Sequence, residues 1–114
     1  MLDIDTLKNY GADTEDALKR CMGNEAFYYK LIKMAVADDN FRRLKDASEA
    51  SDIKECFEAA HAIKGVAGNL GLTPLFNAAS ELTELLRPQE PCDCSEEVKR
   101  VFENLEILKG IIEE

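Results

Sequence analysis

The chain has 114 residues, of which 46% are apolar and 32% charged, and this predicts one globular domain that needs neither disulfides nor metal for its core. Its formal net charge of −9 makes nucleic acid and anionic membranes poor partners. No apolar run reaches the ~18 residues of a membrane span and no signal-peptide pattern opens the chain, which favours a cytoplasmic protein.

Residues 1–23 are predicted to form short N-terminal helices. After a short apolar opening with Ile4 and Leu7, Asp13 is a suitable helix N-cap and Gly23 is a typical helix stop. Residues 24–114 are predicted to form a four-helix bundle, so that residues 1–114 make a single domain.

The first bundle helix is predicted to run without a break from Asn24, its cap, to about Ala47. At 1.5 Å per residue it would be ~35 Å long, the height of a small bundle. Asp38 interrupts its apolar stripe. The stripe consists of Phe27, Leu31, Met34, Phe41 and Leu44.

The next two helices have start and stop signals. Asp52 with Glu55 three residues later resembles a capping box, and Gly71 is expected to end the helix that this box opens. Thr73 followed by Pro74 predicts a new start, because proline early in a helix lacks only a donor that would go unused. The first helix has the apolar stripe Ile53, Cys56, Ala60, Ile63, Ala67 and Leu70. The second has the stripe Leu75, Ala78, Ala79, Leu82, Leu85 and Leu86.

Ser95, with acidic residues in the turn that follows, predicts the start of the last helix after a loop with Pro88 and Pro91. The apolar stripe of this helix is Val98, Val101, Phe102, Leu105, Leu108 and Ile112. Four long amphipathic helices with short connections predict an all-α fold. We expect an antiparallel up-and-down four-helix bundle with the short N-terminal helices at one end.

The only histidine, His61, is predicted to be exposed. On a wheel of ~100° per residue it points roughly 140° away from the centre of the apolar cluster of its helix. The residues that share its face are Phe57, Glu58, Lys64, Gly65 and Gly68. The pattern therefore indicates chemistry at an imidazole that is open to solvent.

Two glycines and a lysine support this interpretation. Gly65 and Gly68 each cost ~1 kcal/mol inside a helix, and on the histidine side they predict a bare strip for another protein to contact. Alternatively, they let a neighbouring bundle helix approach. Lys64, three residues after His61, can reach the imidazole and compensate the charge of a transferred phosphoryl group. By itself it is an ordinary solvated lysine.

Residues 61–71, HAIKGVAGNLG, resemble the signature of the histidine phosphotransfer (HPt) domain, H-x-x-K-G followed by small residues. Residues 17–28, ALKRCMGNEAFY, resemble the segment that leads into the long helix of that family. The resemblance implies a phosphorelay protein whose His61 exchanges a phosphoryl group with the aspartate of a receiver domain. It also implies no kinase activity and no cofactor of its own, with magnesium in the partner receiver.

The implied partners are receiver domains of response regulators or a hybrid sensor histidine kinase, and we expect a monomer. Partner contacts are expected at Phe57, Glu58, Gly65, Gly68 and Asn69. Two positions depart from the family pattern. Val66 is bulkier than the usual residue after the Lys-Gly pair. Thr83 stands where the family often has a glutamine near the histidine, so the contact of that glutamine is not carried over to this chain.

Other interpretations stay open. Glu58 and His61 match the E-x-x-H motif of di-metal bundles, but a single histidine turned outward is too few for such a site. A helical adaptor without phosphoryl chemistry, with His61 as a contact residue, is an alternative, and so is the phosphorylated domain of a chemotaxis-type kinase. The cysteines, of which only Cys92 and Cys94 are close, are expected to be reduced thiols, and a redox role for Cys92 and Cys94 stays an alternative.

Overall fold

The structure is a computed structural model that describes residues 1–113, and all regular structure in that range is helical. The prediction of an all-α fold is confirmed. The seven helices are α1 (Ile4–Tyr10), α2 (Thr14–Arg20), α3 (Glu25–Val36), α4 (Asp39–Glu49), α5 (Ile53–Asn69), α6 (Thr73–Leu86) and α7 (Ser95–Glu113). None of these helices combines the length and the apolar character that crossing a membrane requires.

Side chains cap the helices at the predicted positions. Asp13, Asn24 and Asp52 each accept a hydrogen bond from the backbone N–H three residues on, at 3.2, 3.0 and 3.1 Å. Each bond satisfies a donor that the first turn of a helix leaves unpaired. The apolar opening is itself a helix, α1, because Asp3 caps it in the same way.

The prediction of one unbroken helix from Asn24 to about Ala47 is wrong, because this segment forms two helices. The first ends at Val36, and Asp38 caps the second by accepting a hydrogen bond from the N–H of Asn40 at 2.8 Å. The carboxylate that interrupts the apolar stripe therefore starts a new helix, since a capping side chain competes with continuation of the old one.

α3 buries a different face from the predicted one. Phe27 and Met34 are 47% and 60% exposed. The buried residues of this helix are Tyr28, Ile32 and Ala35. The hydroxyl of Tyr28 donates a hydrogen bond of 2.7 Å to the carbonyl of Leu70 beyond the end of α5. Through this contact the Tyr28 face of α3 lies against the end of the α5 segment.

Helices α4 to α7 surround the core. α4 packs on α5, α5 on α6 and α6 on α7, and α7 also contacts α3 and α4. Leu85 was expected to face the core and is exposed, whereas Thr83 of the same helix is fully buried. The fully buried side chains include Leu44, Leu82, Leu86, Val101 and Leu108.

The short helix α2 lies against the C-terminal end of α5. The N–H of Asp13 donates a hydrogen bond of 2.8 Å to the carbonyl of Gly71, whose φ is +65°. A Cβ at Gly71 would collide with the carbonyl of Asp13, so that glycine is required for this close approach. Gly71 therefore terminates the α5 segment, as predicted, and also seats α2 beside it.

Candidate functional site

His61 lies on the exposed face of α5, as predicted. Its ring is stacked on the ring of Phe57, with ring centres 6.1 Å apart and planes inclined by 17°. The guanidinium of Arg87 lies 5.5 Å from the centre of the Phe57 ring. Phe57 is half-buried, so it restricts the orientation of an imidazole that stays open to solvent.

Lys64 is half-buried about one turn after His61. Its ammonium lies 5.9 Å from the centre of the Phe76 ring of α6, which is a cation–π contact. Within residues 1–113 this ammonium forms no ion pair with a carboxylate. The charge of Lys64 is therefore not neutralised by direct contact, and it is available to an anionic group at His61.

A groove of about 590 Å³ runs beside His61 between α2, α5 and α6. Lys64, Gly65 and Gly68 line it from α5, and Phe76 lines it from α6. Apart from the adjoining backbone of α5, no heavy atom lies within 4 Å of the position that a Cβ would take at Gly65, so the helix surface is bare there. The structure thus brings the predicted histidine, lysine and glycines to one concave surface, while Phe57 and Glu58 lie outside its lining.

Gly68 differs from Gly65 in its surroundings. A Cβ at Gly68 would lie 3.1 and 3.2 Å from two carbons of the Phe76 ring. The approach of α6 is therefore a packing reason for this glycine, in addition to its place in the groove. A helical wheel did not indicate this contact, because it describes one helix and contains no information on the neighbouring one.

Gly68→Gln is expected to destabilise the domain by about 1 kcal/mol. The new side chain must displace Phe76, and overpacking of this kind costs ~1–3 kcal/mol, whereas a helix gains at most ~1 kcal/mol on losing a glycine. Urea unfolding should therefore give a lower midpoint for this variant than for the wild type. An unchanged or higher midpoint would show that Phe76 moves aside at little cost.

Thr83 is not available to the histidine. It is fully buried, and its hydroxyl donates a hydrogen bond of 2.7 Å to a backbone carbonyl one turn earlier. The next residue, Glu84, is exposed and accepts hydrogen bonds from Arg87. These bonds lower the pKa of Glu84 below its ordinary value, and the charges of Lys64 and His61 lower it further. Sequence spacing did not predict this electrostatic interaction of Glu84, which lies one residue after the expected position.

Arg20 of α2 also lines the groove, and the sequence did not identify it. Its guanidinium donates a hydrogen bond of 3.0 Å to the carbonyl of Gly68 and forms an ion pair of 2.9 Å with Asp16. The only signal in the sequence is the four-residue spacing of Asp16 and Arg20, which is typical of an ion pair on a helix. That spacing does not indicate where α2 lies.

Within residues 1–113, no three His, Cys, Asp or Glu side chains are grouped so that they could hold a metal ion. Glu58 and His61 of the E-x-x-H motif are both exposed. All four cysteines are free, and Cys92 is the exposed one. Burial raises the pKa of Cys56 to about 11, so this thiol stays protonated at neutral pH.

The geometry defines a class of protein: an all-helical domain that presents its single histidine, exposed and stacked, at the edge of a groove open to another protein. The family model of the Hpt domain matches residues 34–111, which include His61. The chain belongs to the Hpt domain family, whose members act in histidine phosphotransfer in phosphorelays and interact with receiver domains. Searches of curated proteins and of solved structures found no significant match.

Proposed function

We propose that this protein carries a phosphoryl group on His61 in a multistep phosphorelay, taking it from the aspartate of one receiver domain and passing it to another. Membership of the Hpt family supports this proposal. The observation that carries it is the exposure of the only imidazole of the chain, at the edge of a groove and about one turn from Lys64.

The proposed transfer exchanges one bond to phosphorus for another. A ring nitrogen of neutral His61 attacks the phosphorus of an aspartyl phosphate, and a P–N bond forms while the P–O bond breaks and the aspartate leaves as a carboxylate. Magnesium, held by acidic side chains of the receiver, would bind and neutralise the phosphoryl oxygens, so this chain would need no cofactor of its own. Lys64 supplies positive charge to the phosphoryl group on His61.

The proposal also covers the directions of the bundle helices, the oligomeric state of the protein and its location. Because the connections between α4, α5, α6 and α7 are short, we propose that these helices alternate in direction as an up-and-down bundle. A monomer leaves the groove beside His61 free for a receiver domain of a response regulator or of a hybrid sensor histidine kinase. Such partners act in the cytoplasm, where we expect this protein.

A phosphotransfer assay tests the proposal. Receiver domains are loaded from radiolabelled acetyl phosphate or by a kinase and mixed with the protein, and the label on each is followed with time. We expect label that is lost in acid, is stable in base, as an N–P bond is, and maps to the peptide with His61. Binding without transfer would instead favour an adaptor, and stoichiometric binding of iron or manganese would favour a metal bundle.

Lys64→Ala is expected to slow transfer about tenfold, because the phosphoryl group on His61 loses a nearby positive charge. The fold should persist, since Lys64 makes no ion pair within residues 1–113. Single-turnover transfer from a labelled receiver measures the effect. Lys54→Ala is the matched control, because Lys54 is an exposed lysine at the start of the same helix. Equal transfer rates for the two variants would show that Lys64 does not take part in the transfer.

A further inference from the structure

α2 forms a third wall of the groove beside His61, through Asp13, Asp16 and Arg20. Two hydrogen bonds connect this wall to the α5 segment. The N–H of Asp13 donates to the carbonyl of Gly71 at 2.8 Å, and the guanidinium of Arg20 donates to the carbonyl of Gly68 at 3.0 Å. Because both acceptors are backbone atoms, the wall has a defined position relative to α5.

The two ends of the groove differ in charge. At one end lies the ammonium of Lys64, which makes no ion pair within residues 1–113. At the other end, the two carboxylates of Asp13 and Asp16 outnumber the guanidinium of Arg20, so that this end has a net negative charge. The side chains of Asp16 and Arg20 are 50% and 51% exposed, and a partner protein can therefore contact them.

About 10 Å of α5 separates His61 from Gly68, the residue that Arg20 contacts, since they are seven residues apart at a rise of 1.5 Å per residue. The surface between them is bare at Gly65 and apolar at Phe76. A partner segment that follows α5 along the groove therefore meets the ammonium of Lys64, then the bare surface at Gly65, and then the ion pair of Arg20 with Asp16.

We infer that this polarity sets the register in which a receiver domain docks, with α2 as the wall that determines specificity. The inference rests on the proposed phosphotransfer. The acidic, phosphorylated site of the receiver lies over His61 and Lys64, and an apolar side chain of the receiver lies on Gly65. A basic side chain of the receiver, about 10 Å from its phosphorylated aspartate, pairs with Asp16.

The wall at α2 contributes charged side chains at the rim of the groove, whereas His61 is the group that reacts. Charges at the rim of an interface affect encounter and register more than the chemical step. A change at Asp16 should therefore alter how much receiver is needed, whereas a change at Lys64 slows the transfer itself.

Charge reversal at Asp16 tests the inference, with the receiver that transfers fastest to the wild type. Asp16→Lys should raise the half-saturating receiver concentration about tenfold and leave the maximal transfer rate within about twofold. Asp16→Asn should also raise the half-saturating receiver concentration, but by less. This variant keeps the test valid if the lysine of Asp16→Lys unfolds α2. Asp46→Lys is the matched control, because Asp46 also forms an exposed ion pair four residues from an arginine but lies on α4, outside the groove.

A small phosphoryl donor separates failure of this inference from failure of the proposed function. Phosphoramidate needs no docking surface, so it should label His61 equally in the wild type and in Asp16→Lys. Absence of label on His61 from phosphoramidate and from every receiver would end the proposed function and this inference with it. Transfer with an unchanged half-saturating concentration, or a change in maximal rate alone, would overturn only the docking inference.

Discussion

His61→Gln is expected to leave the protein unable to accept a phosphoryl group from any receiver domain. Glutamine is polar and close in size to histidine, but its amide nitrogen is not nucleophilic. No other imidazole can take over, because His61 is the only histidine of the chain. In the labelling assay, acid-labile label on the protein should fall to background, and the phosphorylated receiver should keep its label for longer.

The fold of this variant should remain that of the wild type. His61 is exposed, and surface substitutions usually change the free energy of unfolding by less than about 0.5 kcal/mol. Matching unfolding curves together with absent label would therefore locate the defect in the chemistry of the imidazole. Label that persists on His61→Gln would rule out His61 as the acceptor.

Gly65→Gln is expected to make the protein more stable and much slower in transfer. Apart from the adjoining backbone of α5, no heavy atom lies within 4 Å of a Cβ at Gly65. Glutamine is also a better helix former than glycine, so the free energy of unfolding should rise by up to about 1 kcal/mol. The same side chain occupies the bare strip that a receiver must approach. A displacement of the reacting groups by ~1 Å is enough to slow transfer ~10²-fold.

Gly110→Gln is the matched control for this prediction. Gly110 is exposed near the end of α7, and apart from the adjoining helix backbone it too has no heavy atom within 4 Å of a Cβ position. This control should transfer at the wild-type rate and should not be less stable. Thermal unfolding and single-turnover transfer are measured on both variants. If Gly65→Gln transfers as fast as Gly110→Gln, the strip beside His61 is not a docking surface.

Features that depend on a single helix were predictable from the sequence. The caps at Asp13, Asn24 and Asp52 form with N–H groups three residues away. The exposure of His61 follows from the periodicity of one amphipathic helix, and the stop at Gly71 follows from local backbone conformation. These interactions act over a few residues, and the sequence therefore contains their whole pattern.

The buried face of α3 was not predictable in the same way. Its apolar residues occur on more than one face, and periodicity favoured the face with Phe27 and Met34, which the structure exposes. The buried face instead includes Tyr28, whose hydroxyl donates a hydrogen bond to the carbonyl of Leu70, a residue 42 positions away. The break at Asp38 was partly predictable. The sequence shows that Asp38 interrupts the apolar stripe, but not that its side chain caps a new helix.

By itself, the sequence determined the all-α class, the open histidine with its lysine, and the motif of the Hpt family. Tertiary structure alone decided that Phe76 packs against Gly68 and that α2 becomes a wall of the groove. The reason is physical: Arg20 binds the carbonyl of Gly68 across 48 residues of chain. A backbone carbonyl is present at every residue, so a bond to one of them leaves no mark in the sequence of either helix.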